Sequence, residues 1–315
     1  MLDHASVMVS SSRMTGAQEE TLTAIGERFA ALRAAPSDLP GAVATAFATV
    51  AGPDPSPELR TMQAAGEKLA HAIDASMQGR PELPYHSRYH FAETVLAMGW
   101  LCRVARERGR FPGALAGLGI IAMTGHDWGH DGSSNGHGRL EHEAAEAVLR
   151  VVAPLPYSGC DVVRAVIIGT DPARVSENAA RAAGKLPPGK LGRDVDMLCK
   201  IANEADVFAS FLPRLAWQQS SALAEEWRGT EASAKVGSYA GRLAFLRTYD
   251  CFSTPARCLG LAALRDRQVD AFAEVARQLQ AGTTPEDGAA ALDGMPRKEG
   301  QALYSAALGL EVGSA

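Results

Sequence analysis

Apolar residues recur mostly at three- and four-residue intervals along nearly the whole chain, and no alternating β-branched run is bounded by turn signals. Alanine and leucine, both strong helix formers, fill many of these positions. The pattern predicts an all-α, multi-helix protein. Two short amphipathic stretches are expected over about 15–50. Longer helices are expected over 57–78, from Ser87 to about Arg108, and over 113–126, 139–152, 160–169, 194–212, 214–228, 231–250, 257–280 and 297–310. Gly52-Pro53-Asp54-Pro55-Ser56-Pro57 forbids a continuous helix, because each proline removes an N–H donor and clashes with the preceding turn. It divides an N-terminal helical extension, 1–55, from a main domain over 56–282. Gly282, Pro285, Gly288, Gly294 and Pro296 predict a loose joint over 282–296, so that 283–315 reads as a loop and a last helix. No internal repeat occurs at a fixed period.

With 315 residues and 46% hydrophobic content, the chain has enough apolar material for one large domain or two small ones. A formal charge of −5, from 31 basic and 36 acidic residues, offers no basic field for a polyanion. Binding to a nucleic acid polymer or to an anionic membrane is therefore not expected. The five cysteines, Cys102, Cys160, Cys199, Cys251 and Cys258, form no C-x-x-C pair and read as reduced residues of a helical core. The first twenty residues lack a basic segment followed by an apolar block, and the apolar run Gly113–Gly125 is too short to span a bilayer. A cytoplasmic protein is expected. The amphipathic stretches of the extension lack a core of their own, and either packing on the main domain or homodimer formation would cover them.

The eight histidines are unevenly spread, with His86, His90, His126, His130, His137 and His142 gathered in one stretch. Tyr85-His86-Ser87-Arg88-Tyr89-His90 places two imidazoles one helical turn apart, on the same side if a helix begins here. His126-Asp127-Trp128-Gly129-His130 repeats the spacing and adds a carboxylate. Imidazoles with a carboxylate are the donor set that a zinc-like divalent ion takes. Further on, Asp206 interrupts an otherwise apolar helix whose neighbours include Ile201, Val207 and Phe208. A carboxylate there is costly unless paired or bound to a metal. Each pair alone is weak evidence; their conjunction with Asp206 and a glycine-framed loop points to a metal centre.

These strings, Tyr85-His86-x-x-x-His90, His126-Asp127-x-x-His130-x-Gly132-x-x-Asn135, Leu140-Glu141, Thr170-Asp171 and Ala205-Asp206, resemble the ordered signatures of the class I 3′,5′-cyclic nucleotide phosphodiesterases, a branch of the HD-domain metal phosphohydrolases. The likeness covers about 80–272. It implies an HD-domain, phosphodiesterase-like fold with two divalent ions: a zinc-like one held by His90, His126, Asp127 and Asp206, and a magnesium or manganese ion bridged by Asp127 and otherwise held through water. His130, Glu141, Thr170, Asn135 and Asp171 would surround those waters. A hydroxide between the ions would attack the phosphate, with His86 as the acid that protonates the leaving 3′ oxygen. Two divalent ions would also explain how an acidic chain binds an anionic ester.

In that family a glutamine followed within a turn by a phenylalanine holds the nucleotide base. Gln268 and Phe272, preceded by Phe252, are the candidates here, although Asp270 stands where the family usually has glycine. The implied reaction is hydrolysis of 3′,5′-cyclic nucleotides to 5′-monophosphates. The same machinery acting on another small phosphoester is the alternative enzyme, and a nucleotide-binding module without catalysis is the alternative of a different kind.

Overall fold

The computed structural model describes residues 14–109, 112–133, 138–156 and 158–310. The described residues are 73% helical and contain no strand, as the apolar spacing predicts. In chain order the helices are α1 (Gly16–Ala34), α2 (Leu39–Ala51), α3 (Pro57–Met77), α4 (Arg88–Glu107), α5 (Gly113–Thr124), α6 (Arg139–Val152), α7 (Gly159–Gly169), α8 (Val175–Ala182), α9 (Arg193–Asp206), α10 (Phe208–Phe211), α11 (Pro213–Glu226), α12 (Glu231–Val236), α13 (Tyr239–Thr248), α14 (Thr254–Leu259), α15 (Leu261–Gln278), α16 (Pro285–Asp293) and α17 (Arg297–Ala307). No described helix is long and apolar enough to cross a membrane.

The centre of the molecule is α4, which buries both flanks: it packs against α2, α5 and α9, and α5 in turn packs on α3 and α7. The α2–α4 contact is close because α4 carries Gly99 at the crossing, where an added Cβ would lie 3.0 Å from the Ala46 Cα. Leu39, Val43 and Phe47 of α2 are fully buried, with Val43 and Phe47 against Gly66 of α3 and Phe47 also against Gly117 of α5.

The helices on the two sides of the proline-rich segment share one core. The proline-rich segment does end α2, and Ser56 then caps α3, its hydroxyl accepting from Leu59 N at 3.3 Å with Pro57 at the first helical position. Yet α2 belongs to the same apolar core as α4, and α16 and α17 add Leu292 and Tyr304 to it. Residues 1–55 and 283–315 are therefore not separable appendages in their described parts. The extension is also tied down by polar contacts. Arg33 of α1 clasps Glu93 of α4 through two hydrogen bonds, of 2.6 and 2.8 Å, and Gln18 donates to the carbonyls of Arg257 and Cys258.

Several expected helices are broken. The 194–212 helix ends at Asp206 and restarts as α10; the 231–250 helix is split at Gly237-Ser238; the 257–280 helix is split at Gly260, which adopts φ +94. A left-handed glycine ends one helix and opens the next at a changed angle, which apolar periodicity alone does not reveal. The expected loose joint at 282–296 is mostly α16, built on a capping box between Thr284 and Asp287 with Pro285 at its start.

Candidate metal centre

Three helix ends meet at the clustered histidines. Ser87 is the N-cap of α4, so His86 precedes the helix and His90 lies in its first turn. Gly125 closes α5, and His126 and Asp127 follow it directly. Asp206 is the last residue of α9. Two of the three ends are C-terminal, where the unpaired carbonyls leave partial negative charge that favours a cation.

Four atoms converge there. His126 Nε2 lies 3.0 Å from Asp127 Oδ2 and 3.3 Å from Asp206 Oδ1, while His90 Nε2 lies 3.3 Å and 3.2 Å from the same two oxygens. Ligands held at 2.0–2.2 Å around a tetrahedral ion sit roughly 3.3–3.6 Å apart. The observed spacing is close to that edge. His126 Nδ1 donates to the Met123 carbonyl at 3.0 Å, which leaves Nε2, 3.3 Å from Asp206 Oδ1, as the nitrogen that faces the centre. His90 Nε2 is buried and makes no hydrogen bond, although two carboxylates stand near it. A buried orphan nitrogen among converging carboxylates fits a divalent ion better than it fits a hydrogen-bonded core. These four residues form a cluster able to hold a metal ion.

The electrostatics point the same way. Burial opposes the charged forms of His90 and His126, but Asp127 and Asp206 outweigh it and raise both imidazoles above their ordinary value. Burial likewise opposes ionisation of Asp206, yet the imidazoles of His126 and His90 beside it bring it down to about 2. The centre thus holds two firmly ionised carboxylates against two imidazoles.

Beside it, His86 and His130 stack with ring centres 3.6 Å apart and planes at 16°. Their common partner is Glu226, at the end of α11. Its Oε1 accepts from His86 Nδ1 at 2.5 Å, and its Oε2 accepts from the backbone N–H groups of Tyr85 and His86 at 3.0 and 3.1 Å. Burial opposes the Glu226 charge, but these donors prevail and lower its pKa. His130 is pushed the other way from His90, down, by burial and by the His86 ring above it. His86, His130 and Glu226 are also close enough to surround an ion. However, His130 Nδ1 accepts from the Gly132 N–H at 3.0 Å, and His86 Nδ1 is bonded to Glu226, so the ring nitrogens nearest Glu226 are committed. These hydrogen bonds hold the two rings in place. Nδ1 of His86 donates to Glu226, and its Nε2 lies 4.0 Å from Asp127 Oδ2, on the side of the four converging atoms.

Both groups open into one cavity of about 630 Å³. Asp127, Asp206, His86 and His130 line it, as do Glu141, Thr170 and Asp171. The Thr170 hydroxyl donates to Ile167 O at 2.7 Å, and Asp171 Oδ1 accepts from Ala173 N at 2.9 Å. Asn135 lies outside the described residues. The far wall comes from α11 and α13 and includes Gln219, Leu223, Trp227, Arg242 and Phe245. Gln219 Oε1 and Trp227 Nε1 are buried there without a hydrogen-bond partner, while Gln219 Nε2 donates to Glu93 at 3.0 Å. The chain Arg33–Glu93–Gln219 therefore runs from the first helix to the cavity wall.

The expected base-holding residues are placed elsewhere. Gln268 is fully buried: its carboxamide oxygen accepts from Arg242 at 2.5 Å and its nitrogen donates to Phe211 O at 2.8 Å. Phe272 packs on Tyr304 with centroids 4.5 Å apart, and Phe252 packs edge-on against Phe211. None of the three lines the cavity. Their role here is internal packing, because the face of α15 that carries Gln268 and Phe272 turns towards α10, α13 and α17. Glu226, Gln219 and Arg242 were not anticipated. Glu226 is indistinguishable in sequence from its neighbour Glu225, which is exposed and pairs with Arg228.

Compared with known proteins, the chain matches no protein-family model, and no curated protein matches it significantly.

Proposed function

We propose that the protein is a metal-dependent phosphoester hydrolase with the dinuclear arrangement that the resemblance to class I cyclic nucleotide phosphodiesterases implies. The observation that carries this reading is the orphaned, buried His90 Nε2 set among His126 Nε2, Asp127 Oδ2 and Asp206 Oδ1, next to a proton-bearing His86–Glu226 pair. A divalent ion held by these four residues supplies polarisation of a phosphoryl oxygen and a more acidic water. The donor set suits a zinc-like ion; the oxygen-lined side of the cavity around Asp127, Glu141, Thr170 and Asp171 suits magnesium or manganese, which keep their waters.

In this reading Asp127 and Asp206 face the cavity as ionised ligands, and Glu226 fixes the His86 ring so that Nε2 delivers a proton to the leaving oxygen. His130, whose pKa is lowered by burial first and by the neighbouring His86 second, stacks on that ring. A binding module without catalysis needs no such donor, which favours an enzyme.

Hydrolysis of 3′,5′-cyclic nucleotides to 5′-monophosphates is the first reaction to assay, on the strength of the motifs. The absence of Gln268, Phe272 and Phe252 from the cavity favours the second reading, another small phosphoester. A nucleic acid polymer and a membrane are not proposed as partners; the compartment proposed is the cytoplasm, and a homodimer is compatible with this account. The test is hydrolysis by zinc- and manganese-loaded protein of cyclic AMP, cyclic GMP and simple phosphate mono- and diesters, with products identified by chromatography. Turnover of a cyclic nucleotide to its 5′-monophosphate supports the first reading, turnover of simple esters alone the second, and no turnover of any of them refutes both.

A further inference from the structure

Arg242 is a buried cation without a counterion. Its residue is 4% exposed, one Nη donates to Ser210 O at 2.6 Å and the other to Gln268 Oε1 at 2.5 Å. The Tyr304 hydroxyl is a third polar neighbour, and the Phe245 ring lies 5.1 Å from the guanidinium carbon. Every one of these partners is neutral, and among the described residues no carboxylate lies within ion-pair distance of Arg242. A guanidinium has five N–H donors, and at most three are met. Taking such a charge out of water is unfavourable unless an anion compensates it. Burial accordingly pushes the Arg242 pKa down to about 10.

The setting indicates where the anion comes from. Arg242 lines the same cavity as Asp127 and Asp206, with Lys235 at its rim, and the unpartnered Trp227 N–H belongs to the same wall. The cavity's two central carboxylates are committed to the metal centre, and that centre accounts for only one anionic group of a ligand, the scissile phosphoester. Arg242 answers to none of them. A guanidinium held in a fixed planar fork is suited to a phosphate or carboxylate oxygen pair.

We propose that Arg242 receives a second anionic group of the substrate, a phosphate or a carboxylate, while the phosphoester to be cleaved lies at the His90, His126, Asp127 and Asp206 centre. This rests on the phosphoester reading above and narrows it to small substrates with two separated anionic groups. An arginine that only caps the Ser210 carbonyl and orders Gln268 would show no preference of this kind.

The experiment is calorimetric binding to zinc-loaded protein of alkylphosphonates, α,ω-bisphosphonates and ω-phosphonocarboxylates, with linkers from trimethylene to pentamethylene. The proposal expects at least one doubly anionic ligand to bind about 10- to 100-fold tighter than the alkylphosphonate of equal length, the size of a charge-assisted hydrogen-bond pair. The bisphosphonate and phosphonocarboxylate arms distinguish phosphate from carboxylate as the preferred group. Arg242→Gln should bring that ratio close to one, and Arg242→Lys should keep part of it. Equal binding of mono- and dianions by the wild-type protein overturns the proposal without any variant, and so does an undiminished ratio in a folded Arg242→Gln protein. Equal binding leaves the phosphoester reading standing, whereas failure of every phosphonate to bind overturns that reading together with the proposal.

Discussion

His86 and Glu226 are 140 residues apart in the chain, yet His86 Nδ1 lies 2.5 Å from Glu226 Oε1. Glu226 also accepts the backbone N–H groups of Tyr85 and His86, so it fixes both the ring and the segment that presents it. In the proposed reaction it is a positioning residue. Glu226→Gln should lower kcat for phosphoester hydrolysis by about 10- to 100-fold, the range typical of groups that orient a reacting side chain, and leave metal content unchanged. Metal content measured on the assayed sample, together with the pH–rate profile, separates this from general damage. An unaltered kcat and profile would remove Glu226 from the account.

Asp127 touches more of the centre than any other ligand: it lies 3.0 Å from His126, 3.3 Å from His90 and 4.0 Å from His86. Asp127→Ala should therefore abolish both tight metal binding and activity. Elemental analysis of the purified variant is the check, and two equivalents of metal retained would show that Asp127 is not a shared ligand.

The raised pKa values of His90 and His126 set a sign for the pH dependence of metal loading. Folded, metal-free protein holds protons on these imidazoles to a higher pH than free histidine does, and a metal needs them neutral. Loading at pH 7 should thus release protons, with the release shrinking and the affinity rising as pH climbs through the folded values. Titration calorimetry in buffers of different ionisation enthalpy counts those protons. Zero release at pH 7 would mean that the histidines are neutral before the ion arrives.

Arg33 and Glu93 join the first helix to the one that carries His90. The Glu93 side chain is 2% exposed, so removing Arg33 leaves a buried carboxylate with no cation and only the Gln219 amide as a side-chain donor. Arg33→Ala should cost roughly 3–5 kcal/mol of stability, the usual penalty for breaking a buried pair from one side. Urea denaturation followed by circular dichroism measures it. A loss below about 0.5 kcal/mol, the level of an ordinary surface substitution, would show that α1 is only loosely attached.

How much of this was legible in the sequence depended on how local each signal is. His86 and His90, and His126 and Asp127, lie within a turn of each other, and Asp206 lies on an otherwise apolar helix, so spacing pointed to a cluster able to hold a metal, while the choice of His90, His126, Asp127 and Asp206 is what the resemblance implies. Glu226, Gln219 and Arg242 carry no such mark. They matter because α11 and α13 fold back over the cavity, a long-range event that periodicity does not encode. Gln268 shows the converse: its spacing to Phe272 matched a functional pattern, but the apolar face of α15 turned both residues into the core. The extension was only partly legible: its amphipathic stretches called for a cover without saying which. The prolines at 53, 55 and 57 mark a real break between helices, and a break in the backbone says nothing about whether the two sides share a core.

The central claim is that phosphoester cleavage depends on metal held by His90, His126, Asp127 and Asp206. It is tested most directly by stripping the protein with chelator, reloading it stepwise with zinc or manganese, and recording metal content and hydrolysis of bis(p-nitrophenyl) phosphate on each sample. The account predicts no activity in the stripped protein and activity that rises with bound metal. Equal hydrolysis before and after reloading, or a fully loaded protein that cleaves no phosphoester, would contradict it.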